Sequence, residues 1–491
     1  MKNVIVGGGV GGMITALYLN KMGEEVTILE EKSRLGGRLA FVEQEGYKID
    51  EGPTIVLLPH MIKEILSEVD ISEDEYELVR VDPLYKLSYP DGSHFMKWSD
   101  TNKQLAEISQ KYSGEEAGFE QYLTEMHERF NEGKKAFLDK SFVQKREFWT
   151  MKNVKTLYKL KAYRTVKQLA NDYFTHQRLI EAFSFQTLYI GGAPFQSPAL
   201  YSLVPFSEHV HGIWYVKGGY ASLVELFERK LRERGVEILL NKKVEQIKTR
   251  GQISTGVMLE GEHMQADRVI FNGDFPLMNQ LVKEKKKEKY IPSSGCLLIY
   301  LGLNQVYKEA NVHQFLMNDD LEEHMREVFV SKQLPKNPSI YAFHPSIIDP
   351  TLAPEGKGVL YLLIPVPAGE SVKWDQIDDY VDRLIEKVES RAFPGLRNAI
   401  EWKKIRTPAD AQVDGLYQGG SFGIAPTLTQ SGVFRPQLKP YPYENVYAVG
   451  ASIHPGGGVP IVMQGAKLLA NHIKQTSVRK GGDIELHRSS I

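Results

Sequence analysis

The chain has 491 residues, 42% hydrophobic and 25% charged, with a formal net charge of −2; this is globular composition, long enough for about two or three domains and too apolar for wholesale disorder. A single cysteine, Cys296, excludes an intramolecular disulfide and a cysteine-ligated metal cluster, and no His/Asp/Glu group has metal-ligand spacing, so no metal is expected. Sixty basic residues against 62 acidic ones leave no basic excess, which speaks against nucleic acid as a partner.

Lys2 to Val6 reads as a short buried strand that runs directly into Gly7-Gly8-Gly9-Val10-Gly11-Gly12. Helical periodicity follows over Met13–Met22 and a second strand over Glu25–Leu29, which makes a βαβ unit. Gly7, Gly9 and Gly12 form G-x-G-x-x-G between strand and helix: a tight turn, a close approach of backbone to a diphosphate, and close helix–strand packing. The helix N-terminus then offers unpaired N–H groups to phosphate. Glu30 ends the second strand where a carboxylate accepts ribose hydroxyls, and Gly36-Gly37-Arg38 adds a cation beside the phosphates. This N-terminus has no signal-peptide core.

Residues 100 to 185 read as mostly helical and polar-faced, for example over Asn102–Lys111 and Gly118–Gly133. Within them, 134–167 carries eleven Lys/Arg against two acids, a local +9 that leaves −11 on the rest, with Phe137, Phe142, Phe148, Trp149, Tyr158 and Tyr163 interleaved. Such a segment is either a solvated helical face or a contact with an anionic membrane surface. Ala182 to Ser207 has no charged residue but is broken by Pro194, Pro198 and Pro205, so it is not a spanning helix. Together with its continuation to Val216 it reads as core or as the wall of a site for an apolar ligand.

From Ile213 the pattern changes to Gly218-Gly219, a helix over Ala221–Gly235, and strands near Val236–Leu240, Val244–Thr249, Thr255–Leu259 and Arg268–Phe271. Lys283–Lys289 is a short charge-dense stretch suited to a solvated face. Strands are expected over Cys296–Leu301 and Val359–Val366, a helix over Trp374–Arg391, a strand over Asn445–Gly450 and a helix over Val462–Ile473. Residues 476–491 are polar and read as a flexible tail.

The run from Gly7 to Arg38 resembles the FAD signature of the glutathione-reductase-like flavoproteins, in the branch of amine oxidases and carotenoid desaturases. Asp50-Glu51-Gly52-Pro53-Thr54 resembles the D-x-G-P-[ST] element of the desaturases, and Asn272-Gly273-Asp274 their N-A-D element. Asn445 to Pro460, NVYAVGASIHPGGGVP, resembles the end motif of phytoene and dehydrosqualene (diapophytoene) desaturases. Phe185 to Gly191 and Gly218-Gly219 match the bacterial enzymes, so the likeness covers residue 1 to about 475. Gly450-Ala451 stands where many flavoproteins have Gly-Asp, a departure the desaturases share.

The resemblance implies an α/β fold, a glutathione-reductase-like FAD-binding Rossmann domain with a mixed β-sheet plus helical substrate domain. The FAD domain would be discontinuous, from 1–75, 215–285 and 410–475, and the substrate and membrane-associating domain would take 76–214 and 286–409. Implied FAD contacts are Gly7, Gly9, Gly12, Glu30, Gly36, Gly37, Arg38, Gly52, Pro53, Thr54, Val244, Asn272, Gly450, Gly457, Gly458 and Val459. Phe185, Tyr189 and Trp214 would line a channel for a hydrophobic polyene, and His454, beside the last glycine loop, is the first candidate base, followed by Glu208, His209 and His211.

The implied activity is FAD-dependent desaturation of a C30 or C40 polyisoprenoid by hydride transfer. The alternatives are oxidation of a terminal methyl to an aldehyde on the same scaffold and, in another class, a flavin-less prenyl-lipid escort protein. The glycine fingerprint occurs once, which implies an external electron acceptor, oxygen or a quinone. The expected location is cytoplasmic, peripherally attached to the inner face of the cell membrane through 134–167.

Overall fold

The computed structural model describes residues 1–282 and 289–488; most of the Lys283–Lys289 stretch lies outside them. The strands Lys2–Val6 and Glu25–Leu29 are followed by Glu237–Leu239, Arg268–Phe271 and Val446–Ala448, and the five form one parallel sheet. Its order runs Val446–Ala448, Arg268–Phe271, Lys2–Val6, Glu25–Leu29, Glu237–Leu239, so chain segments far apart in sequence meet side by side. Four of the strands are buried nearly throughout, as expected of a parallel sheet covered on both faces, whereas the edge strand Glu237–Leu239 is half-buried to exposed. One face carries the helix Val10–Lys21, itself packed between the helices Ser222–Glu233 and Val459–Arg488. The other carries an antiparallel three-stranded sheet, Val244–Arg250, Ile253–Leu259 and Glu262–Gln265.

A second, mixed sheet has seven strands in the order Ile400–Arg406, Gly295–Leu303, Gly358–Val366, Ile340–Phe343, His313–Leu316, Tyr85–Ser88, His94–Lys97. All its pairs are antiparallel except His313–Leu316 with Tyr85–Ser88. The long strands alternate with period two and bury both faces. Leu297, Ile299 and Leu301 pack with Val381, Leu384 and Val388 of the helix Asp378–Arg391. Cys296, Leu298 and Tyr300 face the opposite way, toward the helices of residues 101–211. The expected long strands and helices occur; the four-residue strands that complete the sheet are too short to read from periodicity. The last helix carries the backbone on from Val459 to Arg488, past the point where the sequence suggests a flexible tail.

Asp50 fastens a separate two-stranded hairpin, Phe41–Gln44 with Tyr47–Asp50, to the helix Ser222–Glu233. It ends the strand Tyr47–Asp50, and its carboxylate accepts the backbone N–H groups of Tyr220 and Ala221, both at 2.9 Å, at the start of the helix Ser222–Glu233. Burial raises its pKa to about 7, against the lowering effect of those two bonds and of Lys48, with Asp349 adding a smaller raise. The folded state therefore holds this proton more tightly than the unfolded one, and the contribution of Asp50 to stability falls as pH rises from about 4 to about 7. Denaturant titrations across that range should show a shallower slope for Asp50→Asn. Asp50→Ala, which orphans two buried N–H groups, should lose about 2–4 kcal/mol throughout.

Candidate functional site

The dinucleotide end is built from backbone. Gly7 leaves the first strand at φ +101° and donates its N–H to Leu29 O at 2.8 Å, while Gly36, at φ +105°, donates to Gly8 O at 2.9 Å. A Cβ at Gly36 would stand 2.2 Å from Leu39 O, so no other residue fits this clamp. Glu30 reaches the same loop: one carboxylate oxygen accepts Gly8 N–H at 2.7 Å and the other Lys32 N–H at 2.9 Å. It lies at the cavity edge with Val244, Lys242 and Lys243, so it braces the glycine turn in addition to any ribose contact.

Asn272 sits behind that turn. Its amide donates to Val449 O at 3.0 Å, its backbone N–H donates to Val6 O at 2.7 Å, and its Oδ1 would be 2.9 Å from a Cβ on Gly9 or Gly12. It thus locks the first glycine loop to the Gly450 loop from the far end of the chain. Gly12 does not line the cavity; it lets helix and turn approach, since a Cβ there would be 2.5 Å from Gly7 O.

Arg38 is held by an ion pair with the buried Asp274 at 3.3 Å, yet its Nε and Nη2 have no hydrogen-bond partner among the described residues. Asp274 also accepts Tyr417 N–H at 2.9 Å and the Ser452 hydroxyl, so the carboxylate is fixed in place. Arg435, buried beneath the last glycine loop, donates to Ala451 O at 2.5 Å. Nearer the solvent, Lys32–Asp414 at 2.7 Å, Arg406–Glu51 at 2.6 Å and Arg34–Glu51 at 2.6 Å make a charged rim. Asp274 closes the Asn272-Gly273-Asp274 element, although its hold on Arg38 shows only in the packing, and Arg435 lies in no recognisable motif.

His454 lines the cavity beside Gly456, Gly457, Gly458 and Val459. Its Nε2 meets the carbonyls of Lys140 at 2.8 Å and Phe137 at 3.0 Å, which makes Nε2 the protonated nitrogen. Nδ1 is left with no partner among the described residues. Burial pushes the pKa down to about 4, so the ring is neutral at physiological pH and a weak base.

From the glycine loops a single cavity of about 1000 Å³ runs inward between the seven-stranded sheet and the helices. Gly52, Pro53 and Thr54 mark the turn from its charged end to its apolar end. Beyond them Tyr341, Tyr361, Leu363, Cys296, Leu298 and Phe315 come from the sheet. The uncharged segment Ala182–Ser207 divides between two roles. Phe183 and Phe206 are core, whereas Phe185, Leu188, Tyr189 and Leu203 face the cavity.

Trp214 does not reach the cavity. It belongs to the strand Ile213–Val216, whose alternation turns the indole away, and its N–H donates to His211 O at 2.8 Å. Glu208, His209 and His211 also lie outside the lining. His209 is bonded to Trp98 O at 2.8 Å and Thr101 Oγ1 at 3.1 Å. Glu208 accepts from the hydroxyl of Tyr85 at 2.9 Å and the amide of Gln186 at 3.1 Å, and burial raises its pKa to about 7.

This arrangement fits a flavin dinucleotide. Guanidinium N–H groups of Arg38 with no hydrogen-bond partner among the described residues, beside glycine backbone, suit a diphosphate, and the space lined by Thr54 and Gly457–Val459 suits a ring. Comparison with known proteins agrees. The model of the flavin containing amine oxidoreductase family matches residues 10–474. A 4,4'-diapolycopen-4-al dehydrogenase of Metabacillus indicus is 54% identical over 475 residues, covering 96% of this chain and 97% of its own. A 4,4'-diapophytoene desaturase (4,4'-diaponeurosporene-forming) of Staphylococcus haemolyticus strain JCSC1435 is 32% identical, covering 96% and 98%. A solved oxidoreductase from Methanosarcina mazei has the same fold, with a TM-score of 0.63 over 95% of this chain and 99% of its own at 16% identity.

Gly12→Ala should force the Gly7 turn out of place, and the purified variant should lack the yellow flavin absorption of the parent while keeping its circular dichroism. Flavin bands of parental intensity would refute the role given to this packing.

Proposed function

The chain belongs to the flavin containing amine oxidoreductase family, in its bacterial carotenoid desaturase branch, and from that premise we propose that it oxidises the aldehyde end of a long diapocarotenoid. It is an FAD-dependent oxidoreductase acting on a hydrophobic polyene. One observation carries the terminal-oxidation reading: identity is 54% to a diapolycopen-4-al dehydrogenase against 32% to a diapophytoene desaturase, each over nearly the whole chain. Desaturation is the second reading, supported by that same 32% relative.

FAD, when bound, supplies the acceptor for the hydride lost by the substrate carbon. Gly7, Gly9, Gly450 and Arg38 would hold its diphosphate, and Gly52, Pro53, Thr54, Gly457, Gly458 and Val459 would flank its ring. Phe185, Tyr189, Phe315 and Leu363 would hold the polyene extended. One water adds to the aldehyde carbon to give the hydrate, whose C–H leaves as hydride and one of whose O–H groups gives up its proton, so that the acid's second oxygen comes from that water. His454 offers the lone pair of Nδ1 to the proton the substrate loses; its low basicity suits relaying that proton rather than keeping it. The single glycine fingerprint favours an external acceptor, oxygen or a quinone, over a bound nicotinamide for the electrons.

An apolar substrate is delivered from lipid, and the basic arm suits that delivery. Among the described residues no helix is long and apolar enough to cross a membrane. Trp149, Met151, Val154, Tyr158 and Tyr163 are exposed beside Lys152 and Lys155, with Phe434 next to Trp149 at 6.1 Å between rings. The inner side of the same arm, at Phe137, Leu138, Phe148 and Leu157, lines the cavity. One segment thus turns an amphipathic outer face to the water and an apolar inner face to the substrate's path, which supports peripheral attachment to the inner membrane face.

Each exposed lysine near an anionic surface contributes about 1 kcal/mol, so reversing Lys152 and Lys155 to Glu should weaken anionic-liposome binding by roughly 30-fold or more. Lys159→Glu should matter less, because Lys159 is already paired with Glu132 at 2.5 Å. Unchanged liposome sedimentation of the double variant would remove the arm from the account. For the reaction itself, expression in cells that accumulate a diapocarotenoid aldehyde should convert it to the carboxylic acid. An untouched aldehyde, with new double bonds in diapophytoene instead, would replace this reading with the second.

A further inference from the structure

Among the groups that line the apolar end of the cavity, two hydroxyls stand out because they are joined to each other and to a histidine behind them. Thr54 Oγ1 and the Tyr341 hydroxyl are 2.8 Å apart, and Tyr341 is 2.7 Å from His313 Nδ1. Thr54 follows the Gly52-Pro53 turn, Tyr341 belongs to the strand Ile340–Phe343, and His313 begins the neighbouring strand His313–Leu316. Both hydroxyl-bearing residues line the cavity, whereas His313 is completely buried and lies flat against Phe343, with ring centroids 5.1 Å apart at 12°.

Counting protons shows what this triad can offer. Burial drives the His313 pKa down to about 3, so the ring is neutral and carries one N–H. Three groups therefore bring three protons to two hydrogen bonds. Nε2 of His313 has no partner among the described residues. A proton there would be an orphaned donor in the core, the rarer and costlier arrangement. With the proton on Nδ1, His313 donates to Tyr341, one further bond joins Tyr341 and Thr54, and one O–H is left over. The surplus O–H belongs to Thr54 or Tyr341, and both face the cavity. Phe315, Tyr361, Leu363 and Leu298 line the same stretch of cavity, and among the described residues Thr54 Oγ1 and the Tyr341 hydroxyl make no hydrogen bond beyond these two.

We propose that Thr54 and Tyr341, oriented by His313, form a one-donor subsite that receives the oxygen of an oxygen-terminated polyene, the carbonyl of an aldehyde or a hydroxyl of its hydrate. Tyr341 and Thr54 touch the substrate; His313 is a positioning residue. The subsite explains how a channel that is otherwise greasy selects an oxidised end over a hydrocarbon one: the left-over donor is satisfied only by a ligand with an acceptor at that point. This inference rests on the terminal-oxidation reading for its substrate class, but it concerns binding and needs no turnover.

The test uses the FAD-loaded full chain in mixed micelles, titrated with a conjugated apocarotenal and with a hydrocarbon polyene of equal length. Wild type should prefer the aldehyde, and the bound aldehyde should absorb at longer wavelength than in Tyr341→Phe, since a hydrogen bond polarises the carbonyl. The aldehyde-over-hydrocarbon preference should fall roughly tenfold in Tyr341→Phe, the loss of about one hydrogen bond. Should Tyr341→Phe fail to retain flavin, Thr54→Val reads the same ratio. His313→Leu should lose part of the preference, and His313→Gln, which can still donate to Tyr341, should restore it. An unchanged ratio and an unshifted spectrum in the flavin-retaining variants overturn the subsite. A wild type that binds aldehyde through Tyr341 without oxidising it supports the subsite and defeats the proposed reaction.

Discussion

A dinucleotide with a charged diphosphate and a hydrocarbon tens of atoms long have to share one cavity, and the rest of the molecule answers to that constraint. Phosphate needs N–H groups and a cation; the polyene needs a dry wall that offers neither. The protein separates the two along the length of a single space. Glycine backbone, Arg38 and the Lys32–Asp414 and Arg406–Glu51 pairs occupy one end, and Phe185, Phe315 and Leu363 the other. The Gly52–Thr54 turn lines the cavity between these two ends.

Holding that border in place requires contacts between distant parts of the chain. Asn272 joins the Gly7 turn to the Gly450 loop, Asp274 holds Arg38, and Asp50 ties the strand before the border turn to a helix 170 residues later. Asp50 and Asp274 are buried and Asn272 is half-buried, and all three bond to backbone, so each fixes a position that side-chain packing alone would leave loose. The apolar end is made differently, by the alternating inward face of a sheet whose outward face is closed by the helix Asp378–Arg391.

Legibility in the sequence followed the same division. Gly7, Gly36 and Gly450 were readable because the backbone they adopt admits little else, so a spacing of glycines is already a statement about geometry. The long strands announced themselves by buried alternation. The strands His313–Leu316 and Ile340–Phe343, four residues each, carry no such signal, so nothing in the sequence pattern points to Tyr341 or His313. The apolar run after Ala182 stands out by composition, yet composition cannot say which way a ring points: Tyr189 faces the cavity and Trp214 turns away. Net charge was the least informative number of all, because the arm of 134–167 and the remainder cancel.

The central claim is that electrons pass from the end of a polyene aldehyde directly to the flavin held in this cavity. Anaerobic mixing of the yellow holoenzyme with a diapocarotenoid aldehyde, followed by absorbance, tests that claim with no external acceptor and no nicotinamide present. The flavin band should bleach as the aldehyde becomes the acid, and the colour should return on admitting oxygen or a quinone. A band that stays yellow with the aldehyde, and bleaches only when a reduced nicotinamide is added, would contradict the account.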